Sequence, residues 1–215
     1  MTTVALEQMV MQQVRAWDVL EDRVLDTLRK VPRERFVPRD FRAVAYADAP
    51  IPLPHGQHML TPQLIGRILQ AIDATPTESV LEVGTGSGYL TACLAISTRQ
   101  VRSIEIHEDL AASARARLAA EGIANADVRT ADVFELSFES HYDIIVLTGS
   151  LPGYDERFQR ALAVGGRLFA VVGEGPAMSA RLVHRTSPTN WMSRDLFETW
   201  VAPLLHAARP PRFVF

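Results

Sequence analysis

The segment VLEVGTGSG, residues 80–88, decides the fold of this chain. Its first four residues are mostly apolar and predict a buried strand, and the glycine-rich remainder predicts a tight turn. A helical pattern follows over Tyr89–Ser97. Strand, turn and helix in this order place the turn at the carboxyl end of a parallel strand, where open α/β sheets bind ligands. We therefore predict a ligand-binding loop over residues 84–88.

The chain around this segment alternates between strand-like and helix-like patterns. The predicted strands are Ser79–Val83, Val101–Ile106, Asp127–Thr130, Tyr142–Leu147 and Arg167–Val172, followed by the strand-like stretches Arg181–Arg185 and Leu196–Trp200. The predicted helices between them are Tyr89–Ser97, Asp109–Glu121 and Glu156–Ala163. Strands that alternate with helices form parallel sheets covered on both faces. The predicted class is therefore α/β, with a mostly parallel seven-stranded sheet.

The N-terminal part of the chain reads as a helical extension followed by a loop. Apolar residues recur at helical spacing from Val4 to Val31 and predict two amphipathic helices, broken near Asp18 and stopped by Pro32. Residues 47–62 hold four prolines and a glycine, which excludes a helix and a central strand. Thr61 and Pro62 then predict a helix start. We divide the chain into residues 1–62 and 63–215, within one structural domain.

The glycine loop and a buried carboxylate indicate the ligand's chemistry. A dinucleotide fingerprint would place its third glycine at position 89, which is Tyr89, and the lysine of a Walker-type phosphate loop is missing. Glu82 lies inside an apolar strand, where a carboxylate is costly unless a partner or ligand uses it. The sequence therefore favours a cationic or amine-bearing ligand over a phosphate.

Two more acidic residues follow the next two predicted strands. Glu105 stands at the tip of the second strand, where an acidic side chain can accept hydrogen bonds from both hydroxyls of a ribose. Asp132 follows the third strand and could accept one from an exocyclic adenine amine. A single acidic residue at a strand end is as often a solvated or capping residue as a ligand-binding one. Three acids at three successive strand ends are much harder to explain as solvated or capping residues.

These segments resemble the motifs of class I methyltransferases. The resemblance rests on Val80–Ala92, Ser103–Glu108, Ala131–Val133, Tyr142–Thr148 and the stretch VGGRL at 164–168. Residues Met9–Pro38, especially VLDTLRKVPRERFVP, together with Tyr46–Pro62, are similar to the N-terminal part of the protein-L-isoaspartate O-methyltransferase family. The resemblance covers about Met9 to Gly173.

The resemblance implies a Rossmann-like fold, S-adenosyl-L-methionine as cofactor, and methylation of the free carboxylate of isoaspartyl residues in damaged proteins and peptides. The loop from Asp48 to Thr61 would close over the cofactor. The residues that it implies for cofactor binding are Glu82, Gly84, Thr85, Gly86, Ser87, Gly88, Glu105, Ile106, Asp132 and Val133.

The chain departs from the family pattern at one catalytic position. Where the family reads G-Q-T-I-S-x-P, residues 56–62 read GQHMLTP, so that the family's active-site serine falls on Leu60. Leu60 could instead pack on Ile65 as a hydrophobic staple. Two alternatives therefore stay open beside the isoaspartyl carboxylate. The acceptor could be a small-molecule hydroxyl with His58 or His55 as base, or the chain could bind the cofactor without catalysis.

The composition limits the classes of partner and the cellular location that we expect for this chain. With a net charge of −3 and a pI near 6.1, the chain has no basic field for nucleic acid or an anionic membrane. Its single cysteine, Cys93, fits a reducing compartment, and the absence of a leader or an apolar span predicts a cytoplasmic location. His55 and His58 lack further ligands at metal spacing, so no metal is expected. The oligomeric state is not indicated.

Overall fold

A computed structural model describes residues 2–138 and 141–209 of the chain. Its helices are α1 Thr2–Gln8, α2 Asp22–Lys30, α3 Arg33–Phe36, α4 Pro62–Ile72, α5 Tyr89–Ala95, α6 Glu108–Ala120 and α7 Glu156–Arg160. Its strands are β1 Ile51–Pro52, β2 His58–Met59, β3 Ser79–Val83, β4 Gln100–Glu105, β5 Ala126–Thr130, β6 Tyr142–Leu151, β7 Leu162–Glu174, β8 Ala177–Ser187 and β9 Asn190–Glu198. Shorter helical turns lie at Met9–Val14, Arg15–Trp17, Arg39–Val44, Pro54–Gly56 and Val133–Glu135.

Seven of the strands form one sheet in the order β5-β4-β3-β6-β7-β8-β9. Neighbours from β5 to β7 are parallel, whereas β8 and β9 join antiparallel. The chain runs outward from β3 through β4 to β5 and then returns to the other side of β3 at β6. The carboxyl end of β3 is thus the point where strand order reverses, the usual ligand position in such sheets. The predicted sheet is confirmed.

Side chains alternate between the two faces of the central strands, as extended backbone requires. On one face, Val80 and Ile144 pack in a core shared with the N-terminal helices, α4, α5 and α6. On the other face, Leu81 and Ile145 pack against Phe158 of the short helix α7. Helices therefore cover both faces, but far more of their mass lies on the first.

The N-terminal elements follow the sequence prediction closely. The first helical run ends at Asp18, which adopts a left-handed conformation with φ of 59°, and α2 ends at Lys30 before Pro32. The proline-rich loop carries only a small hairpin in which Ile51 pairs with Met59. The Thr61 hydroxyl accepts a hydrogen bond of 3.4 Å from the Leu64 backbone N–H, which confirms the predicted start of α4.

Several predicted boundaries in the C-terminal half were wrong, and β6 and β8 also extend beyond their predicted stretches. Helix α7 ends at Arg160 instead of Ala163, because Leu162 already pairs with Tyr142 at the start of β7. Strand β7 therefore runs over Leu162–Glu174, longer than the predicted Arg167–Val172, and β9 spans Asn190–Glu198. A short apolar run fits a strand as well as a helix, so periodicity alone could not place these ends.

The segment after β9 returns to the carboxyl end of β6. The backbone N–H of Ser150 donates to the Ala202 carbonyl at 2.9 Å, and the Leu204 N–H donates to the Ser150 carbonyl at 2.9 Å. The buried Ser150 hydroxyl donates to the Val201 carbonyl at 3.1 Å. These bonds hold residues 199–206 beside the ligand end of the sheet. Within the described ranges, no helix is long and apolar enough to cross a membrane.

Candidate active site

A cavity of about 620 Å³ lies at the carboxyl ends of β3, β4 and β6. This volume falls in the range of small-molecule and cofactor sites. Its walls come from the glycine loop, the turns after β4 and β5, the covering segment 57–61, and the returning segment 199–205. Two residues of the N-terminal extension, Trp17 and Arg33, also border it. The cavity is therefore built from both ends of the chain.

The glycine loop brings bare backbone to the floor of this cavity. Gly84 has φ of 92° and Gly86 has φ of 54°, a left-handed region that favours glycine. A Cβ on Gly84 would lie 2.2 Å from the Thr148 hydroxyl oxygen. That hydroxyl lies 2.9 and 2.8 Å from the carbonyl oxygens of Val83 and Gly84, to which it donates. The contact ties β6 to the loop and leaves no room for a side chain there.

Glu82 is fully buried beside the loop, and half of its carboxylate is without a partner. Its Oε2 accepts hydrogen bonds from Thr91 at 2.5 Å and from Ser103 at 2.6 Å. Its Oε1 has no hydrogen-bond partner among the residues that the structure describes. Burial raises the pKa of Glu82 to about 7, although the two hydroxyl donors oppose the rise. A cationic ligand group in the cavity would supply the missing partner.

Glu105 ends β4 and braces the glycine loop from the side. Its Oε2 accepts from the Gly86 backbone N–H at 2.8 Å, and its Oε1 accepts from the His107 N–H at 3.1 Å. The residue is buried and borders the cavity. Because each carboxylate oxygen has a second lone-pair site, Glu105 can still accept hydrogen bonds from a ligand's hydroxyls.

Asp132 caps the turn after β5 and meets a histidine from the returning segment. Its Oδ1 accepts from the Phe134 N–H at 2.9 Å, and its Oδ2 lies 2.5 Å from Nδ1 of His206. Burial acts to raise the pKa of Asp132, but the His206 and Phe134 hydrogen bonds outweigh it and hold that pKa below its ordinary value. Asp132 is thus a preformed acceptor at the cavity wall.

His55, two residues before the covering segment, contacts the turn after β4 and the start of α6. Its ring stacks on the His107 ring with centroids 4.0 Å apart, and its Nε2 lies 2.8 Å from Oδ1 of Asp109. His58 is exposed and borders the cavity. Leu60 also borders it and packs, half-buried, against the core that contains Ile65. The predicted staple of Leu60 on Ile65 thus stays a prediction, since only packing against the shared core is established.

Arg33 is a fully buried cation at the edge of the cavity. Its Nε donates to the Ala45 carbonyl at 3.0 Å and its Nη2 to the Leu60 carbonyl at 2.7 Å. The guanidinium lies 4.8 Å from the centroid of the Tyr89 ring. Burial lowers the pKa of Arg33. Because its two bonds join α3 to the backbone of two loops, Arg33 fixes the peptide at position 60.

The structure brings most of the predicted site residues together. Bordering the cavity are Glu82, Gly84, Thr85, Gly86, Ser87, Glu105, Ile106, Asp132 and Val133, as well as His58 and Leu60. Gly88 is not among the residues that line it. A Cβ there would lie 3.2 Å from the Cβ of Ala114, so Gly88 instead allows the loop to approach α6.

Several residues of the site escaped sequence reasoning. Arg33 sits in the polar run RERF and reads as an exposed helix face, yet it is buried. Trp17, Trp200 and His206 lie near the ends of the chain, far in sequence from the glycine loop. Only Thr148, in a family-like segment, carried a signal. In residues 2–138 and 141–209, no group of three or more potential metal ligands is found.

Comparison with known proteins identifies the family. The model of the family described as Protein-L-isoaspartate(D-aspartate) O-methyltransferase (PCMT) matches residues 5–207. The match continues well beyond Gly173, where the sequence resemblance was predicted to end, so that boundary is corrected. The returning segment therefore belongs to the family pattern.

Curated relatives agree over nearly the full chain. A protein-L-isoaspartate O-methyltransferase of a Synechococcus strain is 38% identical over 207 residues, which cover 93% of this chain and 84% of the relative. One of Methylorubrum populi is 37% identical over 206 residues, with coverage of 95% and 97%. Identity of this extent over this length indicates common ancestry and a shared fold.

Solved structures support the fold. A crystal structure of a Plasmodium falciparum protein-L-isoaspartate O-methyltransferase homologue, in complex with S-adenosyl-L-homocysteine, superimposes with a TM-score of 0.78. It is 20% identical, and the alignment covers 91% of this chain and 96% of that one. The predicted class I methyltransferase fold and the predicted O-methyltransferase class are confirmed. The chain belongs to the protein-L-isoaspartate O-methyltransferase family.

Proposed function

We propose that this cavity binds S-adenosyl-L-methionine and directs its methyl group to the carboxylate of an isoaspartyl residue in a protein or peptide. The observation that carries the proposal is the unpartnered, fully buried Oε1 of Glu82 beside the glycine loop. A buried carboxylate oxygen without a hydrogen-bond partner carries a free-energy cost, which a cationic or amine-bearing ligand would remove. S-adenosyl-L-methionine carries both an ammonium and a sulfonium group.

The remaining walls fit the rest of this cofactor. Gly84 and Gly86 offer bare backbone at the floor of the cavity, Glu105 offers lone pairs for the ribose hydroxyls, and Asp132 offers a preformed acceptor for the adenine amine. When bound, the cofactor supplies a methyl group on a sulfonium centre that is activated for displacement. The chain's residues hold that group in place and cover it. The proposed roles of Glu82, Glu105 and Asp132 account for all three strand-end acids.

The acceptor needs positioning more than proton transfer. A carboxylate has a pKa near 4 in model peptides, so it is ionised at neutral pH and requires no general base. The rate then depends on holding the carboxylate oxygen in line with the transferred carbon and on excluding water. The covering segment 57–61, fixed by Arg33 through the Leu60 carbonyl, is suited to this task.

Replacing Glu105 with alanine is expected to weaken cofactor binding by roughly 10- to 150-fold. The reason is that hydrogen bonds to a charged group contribute about 1.5–3 kcal/mol, and the loop also loses its brace at Gly86. Calorimetric titration with S-adenosyl-L-homocysteine measures the change. Glu135→Ala is the matched control, because Glu135 is exposed and does not border the cavity. Unchanged affinity in folded Glu105→Ala would place the ribose elsewhere.

Leu60→Ser is expected to raise kcat/KM for an isoaspartyl peptide about two- to tenfold over Leu60→Ala. A serine here restores the hydroxyl of the family pattern, and one hydrogen bond contributes about 0.5–1.5 kcal/mol. The alanine variant is the control, since it removes the same half-buried side chain without adding a hydroxyl. Equal kcat/KM values in the two variants would show that position 60 makes no hydroxyl contact in the reaction.

The test of the proposed function is methylation of a synthetic isoaspartyl peptide, measured at saturating cofactor between pH 6 and 8. We expect methyl ester formation with a flat rate profile, absent with the normal aspartyl peptide, and retained in His58→Ala. A small-molecule acceptor with His58 as base would instead give a rate that rises through pH 6.5 and collapses in that variant. No ester with wild type or Leu60→Ser would refute the isoaspartyl assignment. A cytoplasmic location stays a prediction.

A further inference from the structure

Two tryptophans stand exposed at the mouth of the cavity. Trp17 is 48% exposed and Trp200 is 64% exposed, and both border the cavity. They come from the N-terminal extension and from the returning C-terminal segment. A single exposed apolar side chain is ordinary, but two exposed indoles that border one functional cavity indicate a contact site. The question is which ligand covers it.

Arg67 and Phe197 border the same cavity, and we call Trp17, Arg67, Phe197 and Trp200 the aromatic rim. Arg67 of α4 donates from Nη1 to the Trp17 carbonyl at 3.0 Å, and its guanidinium lies 4.3 Å from the Phe197 ring centroid. On the other side, a Cβ at Gly175 would lie 3.2 Å from Nε1 of Trp200, so that indole lies against the turn between β7 and β8. Arg67 thus anchors the backbone at Trp17, and the Trp200 indole lies beside Gly175.

Tryptophan side chains have few rotatable bonds, so they bind a partner group at low entropic cost. Their faces offer apolar area and stacking to another apolar or aromatic group. The faces offer little to a carboxylate, because the one donor of each indole is the N–H on its edge. The one cation of the rim, Arg67, is already covered by Phe197 and bonded to the Trp17 carbonyl. The rim therefore suits an apolar partner group.

The position of the rim indicates which molecule brings that group. The acids that fit the cofactor are buried at the strand ends, with Glu82 at 0% and Glu105 at 5% exposure. The rim, in contrast, lies at the exposed side of the same cavity. A protein acceptor that places one carboxylate in the cavity must pass its neighbouring residues over the mouth.

We propose that the aromatic rim selects acceptor segments in which an apolar or aromatic side chain lies next to the isoaspartyl residue. This inference rests on the proposed function, since it assumes a peptide acceptor. Trp17 and Trp200 are then specificity-determining residues, and their effect falls on acceptor recognition.

The test compares isoaspartyl peptides that differ only in the residue beside the isoaspartyl, with phenylalanine, serine or glutamate there on either side. Wild type is expected to show a kcat/KM about tenfold higher for the better phenylalanine peptide than for its serine counterpart. The double variant Trp17→Ala/Trp200→Ala is expected to reduce that ratio to within about twofold. Met192→Ala is the matched control, because Met192 is 68% exposed on β9 and does not border the cavity. Its ratio should equal that of wild type.

Peptide binding gives a second measurement that does not depend on methyl transfer. In Trp191→Phe, the remaining indoles are Trp17 and Trp200, so fluorescence in the presence of S-adenosyl-L-homocysteine reports on the rim. The change in indole fluorescence is expected to show that the phenylalanine peptide binds with higher affinity than the serine peptide. Selective binding without methylation would support the inference and refute the proposed function.

Three outcomes would overturn the inference while leaving the proposed function standing. The first is equal kcat/KM for all methylated peptides with wild type. The second is a phenylalanine preference that survives in the double variant. The third is a stable dimer, seen by sedimentation, in which both indoles are buried and which added peptide does not dissociate. A second copy of the chain would then be the molecule that covers the rim.

Discussion

Glu82→Gln is expected to raise the free energy of unfolding by about 3 kcal/mol at pH 8 while weakening the binding of S-adenosyl-L-methionine. Burial raises the pKa of Glu82 from 4.5 to about 7 in the folded chain. Each unit of pKa difference corresponds to about 1.36 kcal/mol. Glutamine keeps the shape and can still bond with Thr91 and Ser103, but it carries no charge to desolvate.

The pH dependence follows from the direction of this shift. Between pH 4.5 and about 7, folded Glu82 keeps a proton that the unfolded chain has released. The contribution of this group to stability therefore falls as the pH rises through that window, and the loss is complete above it. The advantage of Glu82→Gln over wild type should appear across the same window. Denaturant unfolding at pH 4, 6 and 8 measures it.

Glu78→Gln provides a control of opposite sign. Burial acts against ionisation of Glu78, but its hydrogen bonds with Arg167, at 2.6 and 3.0 Å, outweigh it and lower the pKa of that carboxyl. This variant should lose stability at neutral pH and keep its cofactor affinity, since Glu78 does not border the cavity. A Glu82→Gln protein that binds the cofactor as tightly as wild type would contradict the proposed role of the orphaned oxygen.

Gly84→Ala should lower the free energy of unfolding by about 2–5 kcal/mol. The left-handed backbone costs alanine about 1–2 kcal/mol, and forcing an extra methyl into packed space typically costs about 1–3 kcal/mol more. The new Cβ would lie 2.2 Å from the Thr148 hydroxyl oxygen, so loop and strand must separate. Cofactor binding should fall with it, because the loop forms the floor of the cavity.

Gly122→Ala separates the two costs of that substitution. Gly122 also has a positive φ, of 71°, but a Cβ there would meet nothing within 4 Å. Gly122→Ala should therefore lose only the stability that the left-handed backbone costs. The double variant Gly84→Ala/Thr148→Ala should recover some of the stability that Gly84→Ala loses to the steric contact. Equal losses in the variants Gly84→Ala and Gly122→Ala, measured by thermal and denaturant unfolding, would show that the contact with Thr148 costs nothing.

The sequence predicted the site where local pattern determines position. Glu82 lies one residue before the end of β3, Glu105 ends β4 and Asp132 follows β5. Strand order alone brings such residues to one edge of a parallel sheet. The start of α4 was predictable because Thr61 and Pro62 carry the capping chemistry themselves. These features depend on near neighbours in the chain.

The rest of the site depends on contacts between distant residues. His206 meets Asp132 across 74 positions, and nothing near either residue signals the pair. The burial of Arg33 follows from the packing of Tyr89 and of two loops around it. Boundaries such as the end of α7 failed for the same reason, since the pairing of Leu162 with Tyr142 overrides its local helical pattern.

The return of residues 199–206 to β6 also has a consequence for biosynthesis. A chain emerging from the ribosome can form the glycine loop and the first parallel strands early, but the cavity wall near Ser150 is open until the Ala202 and Leu204 backbone has arrived. Because contacts of such sequence separation form late, a nascent chain should acquire the complete binding site only after most of its translation. Partial products would then lack this wall of the cavity and could not hold a cofactor molecule as the complete chain does.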